Sequence, residues 1–305
     1  MAYLDSGLEG GRRAAGQRLV AGIPTAWLLL FFLVPFLIVF KISFSEGRLA
    51  VPPYAPLFDW HHGVPVPMLH FSNYAFLFTD PLYASSYLYS LQVAAVSTLC
   101  CLFIGYPMAY AISRAGTTWR SVLLMAVVLP FWTSLLLRVY AWIGLLKNNG
   151  VINNVLLWLG VIHEPLTLLQ TDFAVYIGIV YSYLPFMILP LYANLEKHDV
   201  TLLEAAADLG ATPFRAFLRI TLPLSLPGIA AGALLVFIPS VGEYVVPSLL
   251  GRTDQLMIGR VLSDEFFENR DWPVASAVAI LMLLLLVVPI TLLQRLEQRS
   301  NESRA

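Results

Sequence analysis

The sequence has 305 residues, 58% of them hydrophobic and only 12% charged, with a mean hydropathy of +0.74. A soluble domain usually carries about 25% charged residues, so this chain lacks the polar residues to cover a globule and needs lipid as its solvent. The net charge of -1 gives no sign of a nucleic-acid partner, and the two cysteines, Cys100 and Cys101, sit side by side in an apolar run, which excludes a disulfide framework.

A helix needs about 20 apolar residues to cross the hydrocarbon layer. Six stretches qualify in chain order: Leu19–Phe40, Leu91–Ile112, Ser121–Leu145, Phe173–Leu195, Pro227–Leu249 and Pro273–Leu293. The expected fold is therefore an all-α membrane protein with six transmembrane helices. A tail over 1–18 precedes a single transmembrane domain over 19–293, and a second tail follows over 294–305. The first stretch is too long for a secretory apolar region and lacks a small-residue cleavage site, so it reads as a retained anchor. Prolines recur inside the spans, among them Pro35, Pro107, Pro130, Pro185, Pro190 and Pro239. Membrane bundles tolerate these because neighbouring helices satisfy the freed carbonyls. There is no internal repeat. His61, His62 and His70 form only a loose group in a polar loop, so no metal site is expected.

Lys and Arg set the orientation, because they concentrate in cytoplasmic loops. With the N-terminus inside, the inner segments hold Arg12, Arg13, Arg18, Arg114, Arg120, Lys197, Arg215, Arg219, Arg295, Arg299 and Arg304, and the outer ones hold Lys41, Arg48, Lys147, Arg252, Arg260 and Arg270. Both termini are thus expected in the cytoplasm. The outer loops carry acids instead, including Glu46, Asp80, Asp172, Asp254, Glu265 and Asp271.

The polar segment 196–224 lies between spans four and five, on the cytoplasmic side by this count. Its local pattern is two short helices. The first, about Val200–Leu209, puts Leu203, Ala206 and Ala207 on one face. Gly210 stands where a helix stop favours a left-handed residue. Thr212 and Pro213 form an N-cap and first-turn pair for the second helix, and Pro223 is expected to end it.

Here the residues resemble a known family. Glu204, Ala205 and Ala206, then three residues, Gly210, then nine, Ile220, one more, and Leu222 with Pro223 match every position of the EAA signature of bacterial ABC importer permeases. The resemblance extends along nearly the whole chain. PFLIVFKISFSE, SLQVAAVSTLCCLFIGYPMAYA, RVYAWIGLLKNNGVINN, VGEYVVPSLLG and NRDWPVASAVAI are similar to polyamine (putrescine and spermidine) permeases. What the resemblance implies is a type I ABC importer permease (MetI-like) fold in the bacterial inner membrane. It further implies a second, non-identical permease subunit, two ATP-binding subunits and a periplasmic substrate-binding protein. The loop 196–224 would dock on the ATPase partner, which binds ATP and Mg; no cofactor is expected in this chain.

Two charged residues lie within the expected spans, Arg138 and Glu243. Each would cost roughly 2.5–3.5 kcal/mol at the bilayer centre, and such residues usually face a bundle interior or a watery path. Counted along straight helices at about 1.5 Å per residue, both lie roughly 25 Å up their spans. One reading pairs them structurally; the other has Glu243 line the path and greet a cation; a third gives them neither role. Trp132, Tyr140, Trp142, Tyr181, Tyr183 and Tyr244 lie near that level. Their faces attract alkylammonium groups, and Trp and Tyr are also ordinary interface-belt residues. Glu243, Tyr244, Arg138, Tyr140 and Tyr181 are the candidate path residues.

No phosphate-loop pattern G-x-x-x-x-G-K-[ST] occurs, so the chain itself is not expected to hydrolyse ATP. That absence alone also suits a stand-alone secondary transporter. The coupling-loop signature and the lack of paired interrupted half-repeats favour the ABC subunit. The expected function is import of a polyamine by alternating access. The alternative is the same machine for another small cationic or organic solute.

Overall fold

A computed structural model describes residues 22–61 and 64–302. In chain order its elements are α1 (Gly22–Ile42), β1 (Phe58–His61), β2 (Val64–Pro67), α2 (Ser72–Thr79), α3 (Pro81–Arg114), α4 (Thr117–Val128), α5 (Leu135–Leu146), α6 (Val151–Trp158), α7 (Asp172–Leu195), α8 (Thr201–Asp208), α9 (Pro213–Val241), α10 (Val245–Leu250), α11 (Ile258–Phe267) and α12 (Trp272–Glu302). The antiparallel hairpin β1–β2, with Phe58 opposite Pro67, is the one sheet among the described residues. The tails over 1–18 and 303–305, and His62 of the histidine group, lie outside the described residues.

Among those residues, α1, α3, α7 and α9 are long and apolar enough to cross a membrane. The third expected span is not one rod. Residues Thr117–Trp132 and Leu135–Trp158 meet at a 90° bend, where a 3₁₀ turn over Leu129–Trp132 ends in extended backbone at Thr133. The last expected span lies in α12, whose apolar stretch is Trp272–Val287. The helix α3 begins at Pro81, well before the expected Leu91, because Asp80 caps it by accepting the Leu82 N–H at 2.8 Å.

The residues form two compact units, one from the chain up to Thr79 together with the chain from Asp264 onward, the other Asp80–Ser263. In the first, α12 packs on α1 and α2. The buried Asn73 amide donates to the Ser43 and Ser45 carbonyls at 2.9 Å each, and the Tyr74 hydroxyl meets Ser43 Oγ at 2.8 Å. These bonds tie down the segment that follows α1. In the second unit α3, α7 and α9 pack against one another. Small residues permit the close approach that membrane helices need. A Cβ on Gly228 would lie 2.7 Å from Asn194 Cβ, and one on Gly232 would lie 2.8 Å from Met187 Sδ.

Two prolines that ought to break helices are instead absorbed. In α1 a π-helical segment spans Leu29–Leu33, ahead of Pro35; in α9 another spans Phe217–Thr221, ahead of Pro223. A proline ring clashes with the carbonyl four residues earlier. Here those carbonyls belong to Phe31 and Arg219, the central residues of the two π segments. The wider turn opens the helix where the ring needs room. Pro223 therefore does not end the second helix of the polar loop, as the sequence suggested; that helix runs on unbroken as α9.

Candidate functional site

The loop 196–224 is built by two capping devices. The helix α8 ends in a Schellman arrangement: Gly210 has φ +78°, its N–H donates to the Ala207 carbonyl at 2.9 Å, and the Ala211 N–H donates to the Ala206 carbonyl at 2.9 Å. Two residues on, Thr212 Oγ1 accepts the Arg215 N–H at 3.4 Å and Pro213 opens α9. Between the helices lies an open cleft of about 380 Å³ lined by Ala206, Leu209, Gly210, Arg215, Arg219 and Ile220. No residue of α8 is buried. Leu209 is 89% and Phe214 69% exposed, and Glu204 and Ala205 also face outward. Leu222 and Pro223 lie in the root, where the Phe217 ring packs edge-on against Tyr106 and Tyr110 of α3. A protruding knuckle with bare apolar tips suits insertion into a groove of another protein.

The second candidate group lies at two helix breaks. Glu243 is not inside a helix: α9 stops at Val241, α10 starts at Val245, and Glu243 occupies the gap. It is 7% exposed. Its Oε1 accepts the N–H groups of Val245 and Val246 at 3.0 and 3.3 Å, and its Oε2 accepts the Tyr183 hydroxyl. All three partners are donors, so the carboxylate is consumed in closing the break. The start of α11 abuts it, with a Cβ on Gly259 placed 2.5 Å from the Gly242 carbonyl.

Arg138 lies just past the 90° bend, which removes the straight-helix argument for equal depth. It forms no pair with Glu243; its guanidinium stands over the rings of Phe131 and Tyr181 at 5.6 and 6.0 Å, and its Nε is buried without a partner. Rings continue the group: Tyr181 meets Trp142, Phe131 meets Phe186, and Phe186 meets Tyr183. The structure thus links Arg138, Tyr181 and Tyr183 through ring contacts and Tyr183 to Glu243 through its hydroxyl, while Tyr140 and Tyr244, exposed like Tyr181, stand outside that group. Phe131 and Phe186 had no charge or motif to draw notice. Tyr183 was one of six aromatic residues at that level, and spacing alone did not single it out.

Residues 101–301 match the family described as the binding-protein-dependent transport system inner membrane component. The chain belongs to that family. This permease is 41% identical over 285 residues to the spermidine/putrescine transport system permease protein PotB of Haemophilus influenzae, covering 93% of this chain and 95% of that one. Its fold matches the solved structure of a bacterial ABC transporter involved in import of the acidic polysaccharide alginate. The TM-score there is 0.71 at 17% identity, over 96% of this chain and 98% of the other. A bacterial alginate ABC transporter in complex with an alginate pentasaccharide-bound periplasmic protein matches with a TM-score of 0.67 at 18% identity, over 94% and 96%. The permease has the MetI-like fold of ABC importers. It is an inner-membrane transport subunit, not an enzyme.

Proposed function

We propose that this permease imports a polyamine, putrescine or spermidine, as one half of the membrane channel of an ATP-driven importer. The observation that carries the reading is 41% identity to a spermidine/putrescine permease along almost the full length of both chains. The acidic outer loops suit delivery of a cation. A non-identical second permease completes the channel, and a periplasmic binding protein brings the solute. Two ATP-binding subunits hold ATP and Mg outside this chain. The knuckle of α8, Gly210 and the start of α9 docks on one of them. ATP-driven closure of those subunits moves the knuckle, and the spans rock from inward-open to outward-open. Coupling rests on the different affinities of ligands for the two states.

The test is uptake by the complete transporter reconstituted with its binding protein, supplied in turn with labelled putrescine, spermidine and an uncharged solute of like size. ATP-dependent uptake of a polyamine and none of the neutral solute is expected. Uptake indifferent to charge would sink the substrate assignment.

The orientation is tested separately. Ser72 and Thr212 are both exposed. With Cys100 and Cys101 replaced, a cysteine at Ser72 is expected to react with an impermeant thiol reagent in cells with a permeabilised outer membrane, and one at Thr212 only after the inner membrane is opened. Labelling of both before opening contradicts cytoplasmic placement of the knuckle.

A further inference from the structure

The knuckle is joined covalently to two helices, α7 before it and α9 after it. The joint with α7 has no slack. The N–H groups of Glu196, Lys197 and His198 donate to Tyr192, Asn194 and Leu195 carbonyls at 2.9–3.2 Å, continuing the helix as a tight turn. The Asp199 carboxylate then accepts the Thr201 N–H at 3.0 Å and starts α8; that bond holds the Asp199 carboxyl below its ordinary range. His198 Nε2 meets the Leu224 carbonyl at 3.2 Å, tying the turn to α9.

The pair α3–α4 has no covalent link to the knuckle. Arg120, in the first turn of α4, supplies a polar one. One guanidinium nitrogen donates to Glu196 Oε1 at 2.6 Å; another reaches the Ser113 and Ala115 carbonyls, at the C-terminal end of α3, at 3.3 and 3.4 Å. The Tyr192 hydroxyl interacts with both charged groups. Arginine's planar fork suits such a three-way junction, and a cation at a helix C-terminus is favoured by the helix dipole. The two side chains are 29% and 41% exposed. An exposed pair of this kind contributes little to stability, so its position rather than its strength is informative. It fastens the α3–α4 turn to the residue from which the knuckle springs.

We propose that Arg120 is a positioning residue for coupling, a strut that makes the α3–α4 turn follow the knuckle when the ATPase partner moves it. The proposal rests on the docking role of the knuckle proposed above. In the complete transporter in liposomes, Arg120→Gln and Glu196→Gln are each expected to lower the solute moved per ATP hydrolysed about fivefold. Complex yield should stay near wild type in both, and so should binding-protein-stimulated hydrolysis in Arg120→Gln, a residue of α4 outside the loop 196–224. Both changes remove one link, so the double variant is expected to fall no further. Arg120→Lys keeps the charge facing Glu196 and should recover part of the ratio. An unchanged ratio, a ratio that merely tracks yield, or additive losses would each overturn the strut. Gly210→Val, assayed alongside, separates the two readings: normal hydrolysis and uptake there would mean that the knuckle is not the docking element at all.

Discussion

Gly210→Val is expected to abolish binding-protein stimulation of ATP hydrolysis, by tenfold or more, while the permease still inserts and is recovered in normal amount. At φ +78° an L-residue is strained by roughly 1–2 kcal/mol, and a β-branched one by more. A Cβ at this position meets nothing within 4 Å, so the cost is purely one of backbone conformation. The chain can escape by leaving the left-handed region, which breaks the bonds from Gly210 and Ala211 back into α8 and re-aims the knuckle. Two controls sharpen the test. Gly210→Asn should stay close to wild type, because Asn tolerates this conformation, and Gly210→Ala should fall between. The readout is hydrolysis by the purified complex with and without loaded binding protein. Equal stimulation in the Val and Asn variants would remove the turn from the coupling mechanism.

Glu243→Ala is expected to cost most of the complex yield and several degrees of thermal stability in detergent. It strands the N–H groups of Val245 and Val246 and the Tyr183 hydroxyl, and a buried donor left without a partner costs about 1–3 kcal/mol. Glu243→Gln should do little harm. Its amide oxygen can still accept the two N–H groups, and its NH₂ can donate to Tyr183, whose hydroxyl then turns to accept. Because Arg138 is held by rings rather than by Glu243, adding Arg138→Gln to Glu243→Ala should not rescue it. The contrast between Ala and Gln decides between roles. Normal stability of Glu243→Ala with uptake lost would return Glu243 to the substrate path, as would lost uptake in a well-folded Gln variant.

The chain's grosser features were legible because they depend on average properties. Runs of about 20 apolar residues located the four long apolar helices α1, α3, α7 and α9, and the Gly–Thr–Pro order at positions 210, 212 and 213 located the knuckle and its turn. Direction was not legible. Between Trp132 and Leu135 the chain turns through a right angle using only Thr133 and Ser134, and the residues on either side are together apolar enough to pass for one span. Hydropathy measures how greasy a segment is, not where it points. The role of Glu243 was hidden for a related reason. An acid at apolar depth draws attention to other charges, whereas its partners here are two backbone amides just downstream and one tyrosine. The local signal was nevertheless present: Gly242 before the acid and Pro247 after it mark a helix stop and a restart.

The π segment at Phe217–Thr221 also acts as a setting for phase. One residue corresponds to about 100° of rotation around an α-helix. Deleting one residue there would restore a regular helix, leave the face that α9 shows to α3 and α7 intact, and turn the knuckle just before it through more than a quarter turn. Leu209 and Phe214, the bare tips of the knuckle, would then face a different quarter. The extra residue thus sets the compass bearing of those apolar tips relative to the face that α9 packs into the bundle.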